Sequence, residues 1–133
     1  MILIDTNVIL DVIEDDPLWA DWSQAELDRA ARNGPLLINP VIYAELSIAF
    51  QRFEELEAML TGAGLMIESI PREALFMAGK VFLQYRRQKG TKPGVLPDFF
   101  IGAHASVLGI PLLTRDTSRY AHYFPQLSLI TPV

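Results

Sequence analysis

Five short apolar runs, at residues 2–4, 36–39, 65–69, 111–114 and 127–130, alternate with longer stretches of helical periodicity. No other feature of the chain restricts its fold so much. Parallel strands cannot be joined by a tight turn and need a crossover of a dozen or more residues, usually helical. The expectation is an α/β domain on a parallel sheet, with residues 1–133 forming one unit. Half of the residues are apolar, enough for a globular core.

The helical segments carry their own start and stop signals. A short helix is expected from Thr6, and a second opening at Pro17 and ending near Asn33-Gly34. Pro40 starts a helix through Phe50, and residues 53–61 form another, closed by Gly62 and Gly64. The clearest pattern opens at Pro71: Ala74, Ala78, Val81, Phe82 and Tyr85 share a face. Arg86, Arg87 and Lys89 load its last turn, as the helix dipole favours. Residues 90–94 read as a loop, Pro97 begins a helix to Leu108-Gly109, and a last short helix spans 117–123 before Pro125. The chain shows no internal repeat, low-complexity tract or linker.

Four acids stand out against this frame. Asp5 ends the first apolar run and Asp116 follows the fourth. Each precedes a helix, where aspartate is a common N-cap, so each has a local explanation. In open parallel sheets, however, ligands gather outside the carboxyl ends of strands where strand order reverses. Were strands one and four neighbours there, Asp5 and Asp116 would face each other. Glu45 has Val41, Ile42, Ile48 and Ala49 at −4, −3, +3 and +4, which centres it on what reads as a buried stripe; the structural alternative is a core salt bridge to Arg52. Asp98 sits in a first helical turn, where an acid suits the dipole. Yet Ile101, Gly102 and Ala105 at +3, +4 and +7 put it on the inward face.

Acids crowded into one pocket must take up protons or a cation. With no cysteine and two histidines, the donors on offer are oxygens, which suit Mg²⁺ or Mn²⁺ and not zinc. Such a site activates water and neutralises charge at a phosphate, with one ion or two.

The segments Met1-Ile2-Leu3-Ile4-Asp5-Thr6-Asn7-Val8, Ala44-Glu45-Leu46, Leu96-Pro97-Asp98-Phe99-Phe100-Ile101-Gly102-Ala103-His104-Ala105 and Leu112-Leu113-Thr114-Arg115-Asp116 resemble PIN-domain proteins. They look most like the VapC toxins of bacterial toxin–antitoxin pairs, and the resemblance runs in order over essentially the whole chain. It implies a three-layer α/β/α sandwich with strand order 3-2-1-4-5. It also implies a Mg²⁺-dependent endoribonuclease that cuts transfer, ribosomal or messenger RNA and so stops translation and growth. By that analogy Asp5, Glu45, Asp98 and Asp116 are the acidic quartet that holds the metal, with Asp5 and Asp98 its foremost direct ligands. Thr114 matches a hydroxyl position near the metal-bound water, and Asn7 helps orient Asp5. The resemblance further implies a homodimer and a VapB-type antitoxin whose tail blocks the active-site groove.

A net charge of −5 counts against a promiscuous polyanion binder, because phosphate affinity comes largely from Lys and Arg. The charge is uneven. Seven acids and no base lie between Asp11 and Asp28, whereas six bases and Glu73 lie between Arg72 and Lys92. Arg86, Arg87, Lys89 and Lys92 precede Asp98 and could track an RNA backbone, or simply form a solvated helix end. Trp19, Trp22, Tyr120, Tyr123 and Phe124 could stack bases, but core or interface packing is preferred. His104, on the face of Phe100 and Leu108, reads as structural, and His122 as surface or interface.

Three other functions compete. Asp5-Thr6-Asn7-Val8 echoes the nucleophile loop of haloacid-dehalogenase phosphatases, although Asn7 stands where that loop has its second acid. The second is a PIN-like module that only binds RNA or protein, and the third is cleavage of DNA or flaps by a related fold. No basic leader or bilayer-length apolar run is present, so the expected location is cytoplasmic.

Overall fold

The computed structural model describes residues 1–132, apart from the side chain of Pro93. Five strands, β1 (Ile2–Ile4), β2 (Leu36–Ile38), β3 (Leu65–Ile67), β4 (Leu112–Leu113) and β5 (Leu129–Ile130), form one sheet in the order β3-β2-β1-β4-β5. Every pairing is parallel, with Leu3 opposite Leu37 on one side and Leu112 on the other. The expected strand order is borne out.

Seven α-helices connect the strands: α1 (Thr6–Ile13), α2 (Ala20–Asn33), α3 (Pro40–Ser47), α4 (Phe53–Ala63), α5 (Arg72–Arg87), α6 (Leu96–Leu108) and α7 (Ser118–Tyr123). The chain steps from β1 to β2 to β3 in one direction, then crosses back past β1 to β4 and β5. Because parallel crossovers are right-handed, the first two connections cover one face of the sheet and the last two the other. The observed packing agrees, with α1 on α2, α3 on α4, α5 on α6 and α6 on α7. Covered from both sides, β1 and β2 are buried at every residue, which is why they read as continuous apolar runs. The result is a three-layer α/β/α sandwich.

Several boundaries differ from expectation, each for a local reason. The second helix starts at Ala20 and not at Pro17, because the Asp16 carboxylate accepts the amides of Leu18 and Trp19, both at 2.9 Å, and holds those residues in a turn. The third ends at Ser47; residues 48–50 go on as a tighter turn bonded three residues back. Gly62 lies inside α4, and Gly64, at φ 69°, closes that helix in the left-handed conformation glycine favours. Residues 93–95 form a 3-10 turn that overlaps the end of the expected loop. Strands β2 to β5 are each one to two residues shorter than the apolar runs that announced them.

Gly102 is a packing residue. A Cβ there would stand 2.5 Å from the buried Phe124 ring, so α6 and α7 meet closely only because the position is bare. Gly102→Ala should cost a net of about 1–2 kcal/mol, overpacking outweighing the gain in helix propensity. Urea unfolding measures this, and an unchanged midpoint would mean that Phe124 has room to move.

Candidate functional site

The strand order puts its reversal between β1 and β4, and the carboxyl ends of these two strands build the site. Asp5 follows β1 directly. Its amide donates to the Leu113 carbonyl at 2.9 Å, which continues the β1–β4 ladder to the edge of the sheet. Its side chain is buried and serves as the N-cap of α1, with Oδ1 accepting from the Thr6 amide at 2.8 Å. Oδ2 accepts from the Thr114 hydroxyl at 2.8 Å, the Tyr120 phenol at 3.0 Å and the Asn7 amide at 3.4 Å. The cap explanation is therefore correct for Asp5 and accounts for only one of its two oxygens.

Thr114 is fully buried and works as a strut. Its hydroxyl donates to Asp5 and accepts from the Asp116 amide at 3.0 Å and from Asn7 Nδ2 at 3.3 Å. Asn7 also accepts the Arg115 amide on Oδ1 at 3.1 Å, so one side chain ties α1 to the segment after β4. Asp116 is not the cap of α7: the cap position is Thr117, and its side chain makes no capping bond.

Glu45 sits differently from expectation. It is half-buried at the edge of the stripe formed by Ile42 and Leu46, while Ile48 is 86% exposed. The helix stops too early for Ile48 and Ala49 to turn inward. No bridge to Arg52 forms, since Arg52 reaches Glu54. Instead Glu45 Oε1 accepts the Thr6 hydroxyl at 2.6 Å. Asp98 lies in the first turn of α6, partly buried, and its Oδ2 takes a hydrogen bond from Arg119 Nη1.

All four acids, with Thr6, Asn7 and Leu10, line one open cleft of about 330 Å³. Burial pushes the Asp5 carboxyl up to about 6, aided by the charge of Asp98 and opposed by its hydrogen bonds to Thr114, Tyr120 and Thr6. Burial also raises Asp98, with Asp116 and Glu45 adding to the rise and Arg119 opposing it. Tyr120 is held well above its ordinary range by burial and by the Asp5 charge, so its phenol remains a donor.

This donor set suits a hard divalent cation. It is all oxygen, and its two inner carboxylates are destabilised as anions, which a cation would relieve. Among the described residues no three His, Asp or Glu side chains stand close enough to grip one ion together. Mg²⁺ keeps much of its water and takes only one or two carboxylates, so it does not require three side chains on one ion.

Four contributors were not singled out in the sequence: Thr6, Tyr120 as a donor to Asp5, Arg119, and the Asp11–Arg115 pair. Asp11 is buried in α1, and Arg115 reaches it with Nε at 2.7 Å and Nη2 at 2.8 Å, while Ser23 donates to it at 2.6 Å. Arg115 also lies over the Trp19 ring, 5.2 Å from its centroid, so one face of Trp19 packs on the site's support. The available signal was that Arg115 and Arg119 are the only Lys or Arg residues after Lys92. His104 is structural, as expected: fully buried, with Nδ1 3.1 Å from Asn39 Nδ2. His122 is exposed. Tyr123 and Phe124 pack on Phe99. Arg86, Arg87, Lys89 and Lys92 are exposed, and the loop that carries the last two folds back on Tyr85, whose phenol accepts the Lys92 amide at 2.8 Å.

The PIN domain family model matches residues 2–124. The chain belongs to the PIN-domain family. Solved structures share its fold over nearly the full length of both chains. VapBC2 from Rickettsia felis, bound to a DNA fragment from their promoter, matches at 21% identity and TM-score 0.76, covering 100% of each chain. VapBC-1 from nontypeable Haemophilus influenzae matches at 20% and 0.73, covering 98% of each. A toxin–antitoxin complex from Klebsiella pneumoniae matches at 20% and 0.70, covering 100% of this chain and 98% of that one. No curated protein sequence matches. PIN membership displaces the haloacid-dehalogenase comparison. Among the described residues no helix is long and apolar enough to cross a membrane.

The Asp5 carboxyl titrates above its unfolded value, so folding favours its protonated form. That contribution is complete below the ordinary value of 3.8 and is lost as pH rises through about 6. The rise from 3.8 to about 6 corresponds to about 3 kcal/mol. In metal-free protein, Asp5→Asn should therefore become progressively more stable than the parent between pH 4 and pH 7. Thermal melts across that range test it; a constant difference would show that Asp5 does not titrate there.

Proposed function

We propose that this PIN-domain chain is a divalent-metal-dependent endoribonuclease and the toxin of a VapBC-type toxin–antitoxin pair. The observation that carries the reading is the convergence of Asp5, Glu45, Asp98 and Asp116, from four separate elements, on one cleft at the sheet's topological reversal. The destabilised Asp5 and Asp98 would be the foremost direct ligands of Mg²⁺ or Mn²⁺, and Glu45 and Asp116 would help to hold the ion or its water. A divalent cation bound there supplies Lewis acidity, which lowers the pKa of water and offsets negative charge at a phosphodiester.

The remaining work falls to the protein. Thr114 and Tyr120 fix the Asp5 carboxylate in one orientation through its Oδ2. Asn7 holds the Thr114–Asp116 segment against α1. Thr6 does the same for Glu45. With these carboxylates aligned, water attacks phosphorus and the ribose 3′ oxygen leaves, giving 5′-phosphate and 3′-hydroxyl ends. The exposed bases Arg86, Arg87, Lys89 and Lys92 steer the RNA backbone, which offsets the acidic net charge of −5. The loop that bears Lys89 and Lys92 leads into α6 and so to Asp98.

A VapB-type antitoxin is the proposed partner; the Klebsiella structure of the same fold is a toxin–antitoxin complex. A cytoplasmic homodimer completes the proposal; Met66 and Ile67 of the edge strand β3 are exposed apolar side chains available to it.

Antitoxin-free protein should cut cellular RNA with Mg²⁺ or Mn²⁺ and stop on chelation. Asp98→Asn should lower the cleavage rate by more than about 100-fold, and Thr114→Val by about 10–100-fold, the range seen when a ligand's supporting group is lost. Gel assays on total RNA measure both. Growth arrest that survives Asp5→Asn would instead favour a module that binds without cutting.

A further inference from the structure

One acid of the cleft already carries a cation from the chain itself. Arg119, in the first turn of α7, donates through Nη1 to Asp98 Oδ2, and both side chains are about one-quarter exposed. The backbone beneath Arg119 is anchored. The next residue, Tyr120, is fully buried and hydrogen-bonded to Asp5, so only the Arg119 side chain is free to move. Arg115, the other arginine after Lys92, is committed to Asp11 by two hydrogen bonds and does not reach the quartet.

A guanidinium and a divalent ion cannot share Asp98 comfortably. Arg119 takes Oδ2 and leaves Oδ1 open, so the conflict is one of charge: a positive group next to an incoming divalent cation repels it in a partly desolvated cleft. We propose that Arg119 is the cleft's internal counter-cation, and that a divalent ion binds only by displacing it from Asp98. Ion binding and release of the Arg119 side chain are then one coupled step, and the ion's apparent affinity is set by this competition. In the metal-free protein the same contact partly neutralises a pocket of four acids, which gives the arginine a reason to be there.

The inference rests on the metal-dependent reading of the same site, and direct ion binding separates the two. Mn²⁺ binding, read from the electron paramagnetic resonance of free Mn²⁺, should be about tenfold tighter in Arg119→Ala and Arg119→Gln than in the parent, the equivalent of one charge-assisted hydrogen bond. Arg32→Ala, which removes a base in the last turn of α2 at the opposite end of the sheet, should leave it unchanged. In the parent, Mg²⁺ titration followed by NMR of arginine side chains should move one signal, absent from Arg119→Ala, towards the position of a free guanidinium. Equal Mn²⁺ affinity in the parent and both Arg119 variants, or an Arg119 signal that stays put at saturating Mg²⁺, overturns the counter-cation and leaves the nuclease reading standing. No Mn²⁺ binding by any form overturns both.

Discussion

One buried carboxylate sets the terms for this molecule. Asp5 stands at the end of the central strand, beside the reversal of strand order, where its neighbours are helices and sheet and not water. An ionised carboxylate there is unfavourable, and the rise of its pKa to about 6 states the size of the problem. Much of the surrounding sequence makes sense as a response to it. A main-chain amide, two hydroxyls and a carboxamide all donate to the same group. They lower the cost without abolishing it, and the residual strain is what makes the pocket receptive to positive charge.

The supports form a connected net. Thr114 links Asp5 to the Asp116 amide, Asn7 links Thr114 to Arg115, and Arg115 links that segment to Asp11 and, through it, to Ser23 of α2. The Asp11–Arg115 pair is bidentate, with Asp11 only 3% exposed, so breaking it would leave a buried charge alone. The net therefore binds the short segment after β4 to helices on the other side of the reversal. Without it, the segment that carries Asp116 would lose its side-chain ties to Asp5 and α1.

Legibility differed by type of interaction. Asp5 and Asp116 could be placed because strand ends are visible as the ends of apolar runs, and carboxyl ends of parallel strands share one edge. Asp98 could be placed because its inward face carries Gly102 and Ala105. Glu45 was found for an imperfect reason. Its apolar flank at Ile48 and Ala49 faces solvent, since α3 ends at Ser47, and the residue reaches the cleft from the edge of the stripe with Thr6 as partner. Tyr120 and Arg119 were not visible as site residues. Both lie on a six-residue helix whose orientation depends on how α7 packs against α6, a contact that periodicity in so short a segment cannot reveal.

The amino-acid order by itself determined the alternation of strands and helices, the all-oxygen donor set and the acids at strand ends. These are local consequences of apolar periodicity, composition and chain punctuation. Only the tertiary structure decided that a phenol and a hydroxyl converge on one oxygen of Asp5, and that Arg119 occupies Asp98. Those partners are separated by 21 to 115 positions along the chain. What joins them is the packing of helices across a sheet, a sum of many weak contacts that no short window of residues contains.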